Sequence, residues 1–68
     1  MSMSNAAAYS VKSDNFSWHE PVPAASYDEA LDTARRRGFE ATIWHGETRV
    51  AHWSALYGTK IYNRELAR

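Results

Sequence analysis

Apolar positions along the chain change their period twice. From Tyr27 they recur at i, i+3, i+4 and i+7 as Tyr27, Ala30, Leu31 and Ala34, the stripe of an amphipathic helix. Ser26, with Glu29 three residues on, makes a capping box. Asp28 and Glu29 fall in the first turn and Arg35-Arg36-Arg37 in the last, each suiting the helix dipole. Asp32 and Arg36 form an i, i+4 pair, and Gly38 is the expected stop. The pattern predicts a helix over 27–37.

After Phe39 the period drops to two. Phe39, Ala41 and Ile43 alternate with Glu40, Thr42 and Trp44, as in a half-buried strand. A turn at His45–Thr48, a return over Arg49–Trp53, a second turn through Ala55–Gly58 and a last strand over Thr59–Arg64 complete an antiparallel meander. The simplest register pairs Ile43 with Val50, Ala41 with His52, His52 with Ile61 and Ala51 with Tyr62. One face then carries Phe39, Ala41, Ile43, Val50, His52 and Ile61, matching the helix stripe. The other carries Trp44, Arg49, Trp53, Lys60, Tyr62 and Arg64, with Glu40, Thr42 and Ala51.

Before the helix the pattern is weaker. Tyr9 and Val11 alternate with polar residues, and so do Phe16 and Trp18, across the turn-rich Lys12–Asn15 cluster. Two arrangements fit. In one, a hairpin pairs Val11 with Phe16 and Tyr9 with Trp18; in the other, a single strand near Asn15–Glu20 follows a loose segment. Pro21 to Ala25 reads as a stiff extended connector. The expected class is α+β: one capped helix on one face of a small antiparallel sheet, β-α-β-β-β, with an N-terminal hairpin strand as an addition. Residues 1–8 are expected to be a disordered tail and 9–68 a single domain.

Composition changes the picture in one respect. Leu, Ile, Val and Phe number 10 of 68 residues, about 15%, below the roughly 20% under which disorder becomes a live reading. Zero net charge and nine aromatics favour folding around aromatic side chains instead. The absence of cysteine excludes disulfides and thiolate metal sites. No apolar run approaches membrane length, and residues 1–8 do not read as a signal peptide, so a cytoplasmic protein is the default expectation.

The candidate chemistry is sparse. His19, His45 and His52 are three potential metal ligands, but the register separates His45 from His52 by about 13 Å, so no metal and no cofactor is expected. Placed on the core face, His52 is expected to stay neutral and to loosen the fold when protonated. Ser54 near His52 lacks an orienting acid in sequence, there is no phosphate-binding glycine loop, and catalysis is not expected.

Two Trp and a Tyr on a face that one helix cannot reach would make a large exposed apolar patch. That face is expected to be covered, by the Tyr9–Trp18 segment, by a ligand or by a second copy. The reading is a small non-catalytic interaction module that homodimerises. Strand exchange about a hinge at Pro21 and Pro23 is one route. The alternative is single-stranded nucleic-acid binding, with bases stacked on the aromatics and phosphates on the cations.

Overall fold

A computed structural model of the chain describes residues 8–15, 18–38 and 40–68. The elements are β1 (Tyr9–Ser13), β2 (Val22–Ala24), α1 (Tyr27–Arg37), β3 (Glu40–His45), β4 (Thr48–Ser54) and β5 (Gly58–Ile61). The five strands form one antiparallel sheet in the order β2-β1-β3-β4-β5, with α1 packed on one face. The expected α+β class holds. Phe16 and Phe39, and the expected tail apart from Ala8, lie outside the described residues.

The helix forms where the stripe predicts it. Ser26 Oγ accepts from the Glu29 amide at 3.2 Å, and the Glu29 carboxylate accepts from the Ala25 amide at 3.2 Å, one residue before the position of an ideal capping box. Arg36 and Asp32 meet at 2.9 Å. Gly38 ends the helix as expected, in extended backbone (φ −171°).

The N-terminal segment departs from expectation. β1 forms, but Trp18 is not among its partners, and the expected Val11–Phe16 pair falls on a residue outside those described. Its Tyr9, Ser10 and Val11 pair with Ala24, Pro23 and Val22. The expected connector is therefore itself a strand. Proline is tolerated there because β2 is an edge, where a missing N–H costs no ladder bond. Trp18 lies between β1 and β2, packs against the core and donates from its indole to the Val11 carbonyl at 3.4 Å.

The meander also departs, through one extra residue. Trp44 pairs with Arg49 as expected, but Ile43 pairs with Ala51, leaving Val50 as a β-bulge. Beyond it every partner is offset by one: Ala41 faces Trp53 and Thr42 faces His52. The second hairpin has a three-residue loop at 55–57, closed by Gly58 at φ +82°, and the Ser54 hydroxyl accepts from the Leu56 and Tyr57 amides. Ala51 therefore pairs with Ile61, and β5 ends at Ile61 where Arg64 was expected. At the first turn Gly46 takes φ +63°, the sign its place in a two-residue hairpin demands.

The core explains how so few large aliphatics suffice. Ala24, Ala30, Ala34, Ala41 and Ala51 are buried on both sides of the helix–sheet contact, allowing close approach. Val11, Ile43 and Val50 are the largest fully buried side chains. Tyr9, Trp18, Val22, Leu31, Trp53 and Leu66 pack around this centre. A turn at Asn63–Ala67 closes the same side, with Tyr9 Oη donating to the Leu66 carbonyl at 2.7 Å.

Tyr27 begins the helix and is 7% exposed. Burial raises its phenol pKa above 10.0; Arg35 opposes the shift and Asp28 adds to it. The unfolded chain thus releases this proton first, so stability present below pH 10 is lost as pH rises through the folded pKa. Urea titrations above pH 10 should show a steeper loss of stability for the wild type than for Tyr27→Phe, and parallel slopes would refute the assignment.

Candidate functional site

The bulge decides what the open face carries. Trp44 and Arg49 precede the offset and stay on it, whereas Trp53 and Ala51 turn to the helix side and His52 turns to the open side. The sequence-based assignment of Trp53 to the interaction face and of His52 to the core face is therefore reversed. The expectation that His52 would loosen the core on protonation loses its basis. Lys60 pairs with His52 rather than standing in line with Trp53. Arg64 lies exposed in the turn after β5 and is not in the Trp44–Arg49 row. Pro23 sits within β2, and Pro21 is exposed just before it.

What assembles instead is an alternating ladder. Lys12 Nζ lies 4.7 Å from the Trp44 ring centroid. The Arg49 guanidinium is 5.8 Å from Trp44 and 5.1 Å from Tyr62, and Lys60 Nζ is 5.6 Å from Tyr62. The order Lys12–Trp44–Arg49–Tyr62–Lys60 crosses the sheet from β1 to the end of β5. Tyr62 is placed by its amide, which donates to the Val50 carbonyl at 2.8 Å, so the bulge residue also fixes the second ring of the ladder. Cations within about 6 Å of ring faces contribute about 0.5–1 kcal/mol each when exposed, and their stems cover apolar ring surface. The rings are thus partly sheltered within the chain, and Tyr62 is 45% exposed.

The other end of the open face is acidic. The Asp14 amide donates to the Glu40 carbonyl at 3.2 Å, and Thr42 Oγ1 donates to Asp14 Oδ2 at 2.6 Å. His52 Nε2 stands 3.3 Å from that same oxygen and 3.7 Å from Glu40 Oε1. Among the described residues no Lys or Arg pairs with either carboxylate. Sequence reasoning missed Lys12, reading it as part of a turn, and, though it placed Glu40 on this face, missed its meeting with Asp14, 26 positions away.

Comparison with models of known families, with curated proteins and with solved structures finds no match. The functional reading therefore rests on this geometry.

Arg49 is shared by both rings, so Arg49→Ala should uncover Trp44. Trp emission should shift to longer wavelength while stability falls by less than about 1 kcal/mol. An unchanged emission maximum would show that the ladder does not cover Trp44 in solution.

Proposed function

We propose that the chain is a small non-catalytic interaction module that pairs with a second copy of itself through the open sheet face. The observation supporting this is the polarity of that face: Trp44, Arg49 and Tyr62 at one end, Asp14 and Glu40 at the other. A two-fold axis running across the strands, between two stacked sheets, reverses strand direction. It brings the ladder of each copy over the carboxylates of its mate, as a self-complementary interface requires. Strand exchange is the less favoured route, because β1 is held between β2 and β3 and Pro23 is one of its partners.

Size sets the expected strength. Five strands about 4.8 Å apart and about five residues long cover roughly 400 Å² of flat area, well under the ~800 Å² per partner of a standard interface. Pairing is expected to be weak and salt-sensitive. Sedimentation equilibrium at roughly 0.5 mM protein and low salt should approach twice the 7.7 kDa chain mass. Arg49→Glu should return the monomer, and adding Glu40→Lys should restore pairing. A wild-type mass of 7.7 kDa under these conditions overturns the proposal.

The ladder itself favours a second reading, single-stranded nucleic-acid binding, because alternating rings and cations suit stacked bases and phosphates. Asp14 and Glu40 on the same face, and zero net charge, count against it. Trp emission titrated at low salt with mixed-sequence oligonucleotide tests it. Quenching would support this reading, and none at on the order of tens of micromolar strand would remove it.

A further inference from the structure

We propose that Asp14, Glu40 and His52 form a three-ligand site for a divalent transition-metal ion, with Zn²⁺ the favoured occupant. One ligand atom from each residue falls in a group whose members all lie within 4.8 Å of one another. The three come from separate parts of the chain: the residue after β1, the first residue of β3 and β4 beyond the bulge. A tetrahedral zinc with bonds of ~2.0–2.1 Å holds its ligand atoms about 3.3–3.4 Å apart. His52 Nε2 is 3.3 Å from Asp14 Oδ2 and 3.7 Å from Glu40 Oε1. Small rotations of two exposed carboxylate side chains close the set.

Three features separate this group from an ordinary patch of surface carboxylates. The imidazole supplies a nitrogen donor, which moves the preference from Ca²⁺ and Mg²⁺ towards Zn²⁺ and its neighbours. The Thr42 hydroxyl donates to Asp14 at 2.6 Å, the kind of outer contact that orients a ligating carboxylate. Two neighbouring cations are engaged elsewhere: Lys12, two residues from Asp14, lies over Trp44, and Lys60, the register partner of His52, lies over Tyr62. Among the described residues, the positive partner left for both carboxylates is His52 when protonated. A divalent ion would meet them more fully. Three protein ligands on an open face leave the fourth position to solvent or to an outside group.

The sequence-based expectation of no metal considered only pairs of histidines; the donor set here combines one of them with two carboxylates. The site lies within one chain but shares Asp14 and Glu40 with the proposed pairing face, so titration at protein concentrations low enough to keep the chain monomeric tests it apart from pairing. The test is calorimetric titration of the full chain with ZnCl₂, with backbone amide NMR shifts recorded alongside. One ion per chain is expected, with the largest shifts at Asp14, Glu40 and His52. His52→Ala and Asp14→Asn should each weaken binding by about tenfold or more, while a His19→Ala/His45→Ala double variant should bind as the wild type does. Far-UV circular dichroism of each variant checks the fold. Glu40→Gln, which keeps the β3 backbone and side-chain size, provides a second ligand test should Asp14→Asn fail to fold. No saturable binding at about 1 mM Zn²⁺, an affinity unchanged by His52→Ala, or binding lost in the His19/His45 variant would each overturn the proposal.

Discussion

Val50 is one residue more than its partner strand can match, and that excess sets the chemistry of both faces. Side chains in a strand alternate with a period of two, so one inserted residue exchanges the faces for everything beyond it. Here the exchange moves Trp53 into the core periphery and brings His52 out beside Asp14 and Glu40. The bulge also puts two consecutive residues, Val50 and Ala51, fully inside. The Val50 carbonyl accepts from both the Tyr62 and Asn63 amides, which holds Tyr62 in the ladder and leads the chain into its closing turn. An even ladder would have lost the ring of Trp53 to solvent and kept the imidazole among alanines.

The packing follows from a compromise in size. A chain with so few large aliphatics has little volume with which to separate a helix from a sheet. Alanines on both surfaces let them approach closely, and Val11, Ile43 and Val50 fill what remains. Tyr27 apart, the described rings on this side act as a wall rather than a centre: Tyr9, Trp18 and Trp53 border the core. Each keeps an edge near solvent or a polar partner, as Tyr9 does with the Leu66 carbonyl, which suits ring systems with polar tips.

Local signals were legible in the sequence. The helix from Tyr27 to Arg37, its Ser26 cap and the Asp32–Arg36 pair follow from spacing alone, because they involve residues within one or two turns. The α+β class and the meander follow from the change of period. The face assignments failed because a bulge is a single-residue event decided by tertiary packing. Its one trace is the adjacent pair Val50-Ala51 in an otherwise alternating run. β2 was hidden because Val22-Pro23-Ala24 has a connector's composition and becomes a strand only through β1. The acidic group was hidden because neither Asp14 nor Glu40 has a local partner of its kind, and the register that joins them contains the bulge.

The two borders of the sheet are chemically unequal. On one side β2 offers Pro23 where an added strand would seek an amide, and such a border refuses further pairing. On the other side all four residues of β5 are exposed and no strand lies beyond them among the described residues. Lateral addition of chains can therefore proceed from one border only. Two molecules joined there would present proline-bearing margins on both outer sides, and growth would stop. A single imino acid on that border disfavours open-ended lateral stacking, the usual hazard of a small sheet protein.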